Sequence, residues 1–269
     1  MLDRRDFDTD TCKGTGTDTG TDNTARAEPW RACTGDRVRA IILAAGRGMR
    51  MRPLTDHTPK PLLKVRGKAL IEWHLEALAR AGVREVVINT AWLEDQIPAA
   101  LGHGRRWGVN IRYSMEGREH GGALETAGGI ATALPLLVKD ERDVFWVVSG
   151  DIHAPDFSFD PVLAQRFEAT DLQAHLWLVP NPPFHAKGDF GLDADGHGLA
   201  DGAGPDGLTW TYSNFALCRA SLVSGIAPGT RAALGPLLFD GMRRRTITAE
   251  VYRGQWENVG TPEQLAALN

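Results

Sequence analysis

The chain has 269 residues, enough for one large domain or two small ones. Hydrophobic residues make up 42%, charged residues 24%, and the net charge is −4, so a buried core is supported and a polyanion-wrapping surface is not. Nucleic acid and membrane are therefore not expected partners, and no apolar run approaches the roughly 18 residues that span a bilayer.

The chain opens with an arginine pair, Arg4 and Arg5, followed by polar residues rather than the apolar stretch an export signal needs. Between Asp8 and Thr24, 14 of 17 residues are Thr, Asp or Gly, which cannot bury enough apolar surface to offset the entropy of ordering. Residues 1–37 are expected to be a disordered extension and residues 38–269 the folded domain. Cys12, Cys33 and Cys218 show no paired spacing and no accompanying histidines, which fits a reducing, cytoplasmic setting.

From Val38 the texture changes. VRAIILAAG reads as a buried parallel strand breaking into a glycine-containing loop. ALIEWHLEALARAG has apolar residues at helical spacing and stops at Gly82. A strand (83–89), a helix around Leu93 to Leu101, the strand VNIRYS, a helix around Leu124 to Leu137 and the strand DVFWVVSGD follow in turn. This alternation predicts a three-layer α/β/α Rossmann-like domain with a mixed, mostly parallel central sheet. Further on, LQAHLWLVP, the Gly/Asp-rich segment 190–207 and LTWTYSNFALC predict small antiparallel ribbons walling a cleft. A helix around Ala232 to Arg243, the strand TITAEVY, and a helix from Pro262 with Thr261 as N-cap close the chain. Trp92, Trp107, Trp146, Trp177, Trp210 and Trp256 read as core more than stacking platforms, with Trp256 a possible buttress for Asn258.

The segment LAAGRGMRMRPLTDHTPKPLL (43–63) carries the most chemistry. Ala44, Ala45, Gly46 and Gly48 let backbone amides approach a base edge or phosphate, while Arg47, Arg50, Arg52 and Lys60 supply the charge a triphosphate requires. A loop of this kind belongs at the carboxyl end of a parallel strand. It is neither the three-glycine dinucleotide fingerprint nor the G-x-x-x-x-G-K-[ST] phosphate loop. LAAG-x-G-x-R-x-x-P-L-T followed by P-K-P instead resembles the signature of the sugar-1-phosphate nucleotidyltransferases. The resemblance implies that Arg50 and Lys60 bind phosphates and that Leu43, Ala44, Ala45, Gly46, Gly48, Asn89 and Gly128 contact the nucleotide. Arg47 and Arg52 fall at variable positions of the pattern and are expected to be solvated.

Asp151 ends a buried strand on the same sheet edge, where it could hold Mg²⁺ against phosphate oxygens; the G-D pair resembles the family's magnesium ligand. The second implied ligand falls in WENVGT (256–261), which places Asn258 where many relatives carry Asp. An Asn carbonyl can ligate Mg²⁺ with one formal charge fewer, so weaker metal affinity, or inactivity, stays open.

The pattern A-L-E-T-x-G-G (123–129) is similar to the N-acetylmuramate-1-phosphate uridylyltransferases, as is NPPFHAKGDF (181–190). Glu125, Gly188 and Asp189 are the implied sugar contacts; Glu125 could equally be a first-turn helix acid, and Gly188 and Asp189 a turn. His185 is read as a surface residue, and Lys187 as a candidate for a sugar carboxylate. An E-K-P segment, usual in longer relatives, is missing from 198–212, which argues against the glucose and mannose branches. The implied activity is uridylyl transfer from UTP to a sugar 1-phosphate, of a kind used in peptidoglycan recycling. The alternatives are guanylyl transfer to mannose 1-phosphate or to another sugar, and a nucleotide-sugar-binding regulatory subunit.

Overall fold

The computed structural model describes residues 38–269. The disordered extension expected for residues 1–37, with Cys12, Cys33 and the arginine pair, lies outside the described residues.

Strand β1 (Arg39–Leu43) sits in a seven-stranded sheet because its side chains are apolar on both sides. Ala40 and Ile42 enter one core and Ile41 the other, as the two-residue period of a strand requires. After a hairpin, β2 (Lys64–Val65) and β3 (Lys68–Ala69), helix α1 (Leu70–Arg80) lays Ile71, Leu75 and Leu78 on the first core. Its first turn is capped by Glu72, whose carboxylate accepts from the Ala69 N–H at 2.8 Å, and it ends at Gly82, which takes φ +83°.

Strand β4 (Glu85–Thr90) runs parallel to β1, and β5 (Asn110–Met115) runs parallel to β4. Between them α2 (Gln96–Leu101) is shorter than the periodicity suggests, because Leu93 turns the chain at φ +49°. The EGREH run, whose sequence carries no helical periodicity of apolar residues, forms a short helix, α3 (Glu116–His120). Helix α4 (Glu125–Leu137) then lays Ala127, Ile130 and Ala131 on the second core. Strand β6 (Val144–Ser149) pairs with the other side of β1, and β7 (Ile152–His153) follows directly.

The second half corrects one expectation. Strand β8 (Ala174–Val179) follows helix α5 (Pro161–Glu168), and β9 (Gly191–Leu192) with β10 (Gly198–Leu199) is the small antiparallel ribbon. LQAHLWLVP and LTWTYSNFALC, however, are not ribbons: they supply β8 and β11 (Thr211–Arg219), both inside the main sheet, with β11 antiparallel to β6 and β8. Phe215, Ala216, Leu217 and Cys218 are buried on alternating faces, the mark of a central strand rather than a ribbon. After α6 (Gly235–Arg243), β12 (Ile247–Val251) pairs in parallel with β8. The order is β12-β8-β11-β6-β1-β4-β5, and β11 alone runs against the rest. Strand β13 (Glu257–Asn258) returns to pair with β7, and α7 (Pro262–Ala267) is capped by Thr261, which accepts from the Gln264 N–H at 3.3 Å. No helix of the described residues is long and apolar enough to cross a membrane.

Candidate active site

The carboxyl ends of β1 and β6 are stitched by the Gly150 N–H, which donates to the Leu43 carbonyl at 2.9 Å. This places the glycine-rich loop beside Asp151. Gly48 takes φ +64°, and a Cβ there would lie 3.0 Å from Thr55 Cγ2 and 3.4 Å from Lys60 Cβ, so a glycine lets the two halves of the loop close. The buried Thr55 hydroxyl holds that closure by donating to the Gly48 carbonyl at 2.8 Å.

A cavity of about 480 Å³ opens at this edge, lined by Leu43, Ala44, Ala45, Gly46, Gly48, Arg50, Lys60, Asn89, Glu125 and Asp151 among others. Lys60 is nearly buried, and its ammonium donates to Asp151 Oδ2 at 2.6 Å. A second cavity of about 660 Å³ continues from the first, sharing Arg50, Glu125 and Thr126 with it, and reaches His185, Asp189, Tyr212, Asn214, Trp256 and Asn258. Arg50 therefore stands at the junction, and a side chain at Gly260 would abut its guanidinium at 3.4 Å.

Asn258 pairs with Ile152 across β7 and β13, and the Val259 N–H donates to the Asp151 carbonyl at 3.2 Å, so the amide and the carboxylate sit on adjacent strands. The Asn258 Oδ1 atom is buried without a hydrogen-bond partner. An orphaned acceptor beside a carboxylate is the environment a hard cation would complete, since Mg²⁺ takes few protein oxygens and fills its remaining positions with phosphate and water. Trp256 fixes this segment by donating from Nε1 to the Ser213 carbonyl at 2.9 Å, where β11 shifts register between Tyr212 and Ala216. That irregularity turns Asn214 (φ +64°) and Tyr212 toward the second cavity.

The expected residues divide between those that line a cavity and those that do not. Gly128 is not part of the cavity lining: its Cα faces the backbone of Thr230 and Ala232, and its N–H donates to the Ala232 carbonyl at 3.0 Å. Gly188 likewise faces the Asn181 side chain at φ +62° and lines neither cavity. Asn89 is placed at the cavity wall with both ends of its amide engaged, accepting from the Ala44 N–H at 2.8 Å and donating to Glu116 at 2.6 Å. Glu125 takes φ +61°, a left-handed conformation that costs a non-glycine residue roughly 1–2 kcal/mol, and its carboxylate accepts from Arg231 at 2.9 Å. Arg47 lies over the Trp92 ring at 4.4 Å and Arg52 pairs with Asp56 at 2.7 Å; neither lines a cavity. Trp92 is not core: its Nε1 donates to the Thr55 carbonyl at 2.8 Å and pins the loop.

Two further residues contribute that no sequence pattern marks as site residues. Arg231 reaches the first cavity from a segment about a hundred residues away, with no local motif to mark it. His185 lines the second cavity instead of facing only solvent, and its Nε2 lies 2.9 Å from Asp189 Oδ1, while Asp189 Oδ2 accepts from the Tyr212 N–H at 2.8 Å.

A mostly parallel sheet with a glycine-lined cradle bearing Arg50 and Lys60 and a strand-tip carboxylate, continuous with a second cavity of mixed polar and aromatic lining, is the arrangement of a nucleotidyltransferase. The chain belongs to the nucleotidyl transferase family, whose pattern residues 39–192 match. It is 48% identical over 225 residues to the N-acetylmuramate alpha-1-phosphate uridylyltransferase of Neisseria meningitidis serogroup B, covering 83% of this chain and 94% of that protein. The enzyme of the same name from Caulobacter vibrioides is 33% identical over 232 residues, 85% of this chain and 94% of that protein. Among solved structures, a Bacillus anthracis protein assigned as a glucose-1-phosphate thymidylyltransferase shares the fold with a TM-score of 0.69 at 20% identity, over 86% of this chain and 94% of the other.

Proposed function

We propose that this protein transfers a uridylyl group from UTP to N-acetylmuramic acid 1-phosphate, giving the UDP-sugar and pyrophosphate. The observation that carries this reading is the convergence of Arg50, Lys60 and Asp151 on one cavity that continues into a second, with Arg50 at the junction. The identity to the Neisseria and Caulobacter enzymes supports the choice of UTP and of the muramyl acceptor.

In this reaction an oxygen of the sugar phosphate attacks the α-phosphorus of UTP, a P–O bond forms, and the bond to the bridging oxygen of the β-phosphate breaks with that electron pair leaving on pyrophosphate. The nucleophile is already anionic at neutral pH, so no general base is needed. Catalysis is then positioning in line plus neutralisation of charge. The backbone of the 45–48 loop holds the nucleotide, Lys60 faces the α-phosphate beside Asp151, and Arg50 bridges the two anions at the junction. Asp151 and Asn258 are the residues that would hold Mg²⁺, which when bound supplies Lewis-acid neutralisation of phosphate charge. Glu125, His185 and Asp189 contact the sugar. The reaction would serve reuse of a cell-wall amino sugar in the cytoplasm.

The test is a matrix of UTP, GTP, dTTP and CTP against muramic, glucosamine, glucose and mannose 1-phosphates, scored by pyrophosphate release. UTP with N-acetylmuramic acid 1-phosphate is expected to have the highest kcat/KM. A preference for GTP with mannose 1-phosphate would replace the reading, and nucleotide binding without pyrophosphate release in any combination would favour a regulatory subunit.

A further inference from the structure

Glu116 is a fully buried carboxylate, and no Lys or Arg pairs with it among the described residues. Its oxygens instead accept two hydrogen bonds from neutral donors, one from Asn89 Nδ2 at 2.6 Å and one from the Leu124 N–H at 2.9 Å. Burying an uncompensated carboxylate is unfavourable, and burial raises the pKa of Glu116; both of its partners are donors, one to each oxygen, and each hydrogen bond opposes that shift. A side chain chosen for packing alone would be apolar here.

What the carboxylate joins gives it a use. Asn89 Oδ1 accepts from the Ala44 N–H at 2.8 Å, the first residue of the glycine-rich loop. Leu124 precedes Glu125 and Thr126, which line both cavities, and its own carbonyl accepts from the Ala232 N–H at 3.0 Å, next to Arg231. One carboxylate thus links the loop at 44–48, the wall at 123–126 and the segment at 231–232. Helix α4 leaves room for it: a Cβ at Gly129 would lie 2.6 Å from Glu116 Oε1 and 2.7 Å from Asn89 Nδ2.

We propose that Glu116 is a positioning residue for the nucleotide, acting through Asn89 on the Ala44 amide and through Leu124 on the opposite wall, so that the cavity is set before UTP arrives. The inference rests on the proposed use of UTP. It places the larger cost of a mispositioned wall on nucleotide binding, where both arms of the link act, and a smaller one on the sugar phosphate, which only the Leu124 arm reaches through Glu125.

The experiment is steady-state pyrophosphate release by the full-length protein and two variants, Glu116→Gln and Gly129→Ala, with UTP and N-acetylmuramic acid 1-phosphate varied in turn. In Glu116→Gln an amide N–H₂ must face one of the two donors; Gly129→Ala pushes on the same hydrogen bond from outside the cavity. Both are expected to raise the KM for UTP about tenfold or more, with a smaller rise in the KM for the sugar phosphate and kcat within about threefold. An unchanged KM for UTP in either soluble variant, or a loss of kcat in proportion to lost folded protein, overturns the inference. If Glu116→Gln is insoluble, Gly129→Ala carries the test, since alanine favours a helix and lines no cavity. A wild-type protein that releases no pyrophosphate with any nucleotide removes the functional reading and this inference with it. Wild-type turnover with unaltered variants removes only the inference.

Discussion

Lys60 donates its ammonium to Asp151 Oδ2 at 2.6 Å across 91 residues of chain, with the lysine side chain 9% exposed and the aspartate 32%. The pair is asymmetric: the cation is fixed inside the wall while the carboxylate keeps a face open to the cavity. Each residue therefore orients the other, and removing either leaves a charge without its partner.

Replacing Asp151 or Lys60 by alanine is expected to lower kcat about a hundredfold or more, the scale of a group that neutralises transition-state charge. The double replacement is expected to lose little beyond either single one, because the two act as a unit. Pyrophosphate release measures all three, and turnover near wild type in either single variant would contradict the assigned roles.

Asn258→Asp adds a formal charge where an orphaned carbonyl oxygen sits beside the Asp151 strand. Activity is expected to persist with a several-fold lower magnesium concentration at half-maximal rate, since carboxylates hold hard cations more strongly than amides do. A magnesium titration reads this directly; a higher requirement would mean that position 258 does not ligate the metal.

His185 and Lys187 make a contrast within three residues. His185 lines the second cavity and is held by Asp189, whereas Lys187 is exposed and lines neither cavity. His185→Ala is expected to raise the KM for the sugar phosphate about tenfold, the loss of roughly one hydrogen bond, and to leave the KM for UTP in place. Lys187→Ala is expected to change neither constant, and the reverse outcome would reassign the sugar-side contact.

Acid stability follows from two buried histidines. Burial lowers the pKa of His74 to about 4, its contact with the Ile152 backbone opposing the shift in part, and burial lowers His175 to about 4 as well. Because the folded values lie below the unfolded value of about 6.5, the unfolded chain binds protons first as pH falls. Stability is therefore full above pH 6.5, declines between 6.5 and 4 by up to about 1.4 kcal/mol per pH unit for each histidine, and levels off below. Urea unfolding at pH 7.5 and 5.0 measures the drop, and His175→Gln, which can still bond Thr248, should make it shallower. An equal drop in the variant would place the acid sensitivity elsewhere.

Much of the donor side is local in the chain and could be read from it. Strand β1, the 43–63 loop and the Ser-Gly-Asp strand end are contiguous patterns, and Arg50, Lys60 and Asp151 follow from them. What escaped depends on partners far away. Glu116 sits in a polar run that looks solvated, and only the arrival of Asn89 and Leu124 buries it. Arg231 is one cation among many until the Glu125 carboxylate is placed beside it. Strand β11 carries the same residues that a peripheral ribbon would, because apolar alternation does not say which neighbours a strand will have. The family resemblance implies ligand contacts at Gly128 and Gly188, yet what approaches them is the protein's own backbone and Asn181.

The reversed strand β11 divides the sheet: the glycine loop and Asn89 lie on the β1, β4 and β5 side, while Asp189, Tyr212 and Asn214 belong to segments on or beyond β11. The two cavities share Arg50, Glu125 and Thr126, and chain order does not separate them: Arg231 and Gly260 return from the later half to line the first, and Asn258 lines the second. Edits to the later half that reshape one pocket would therefore be felt in the other.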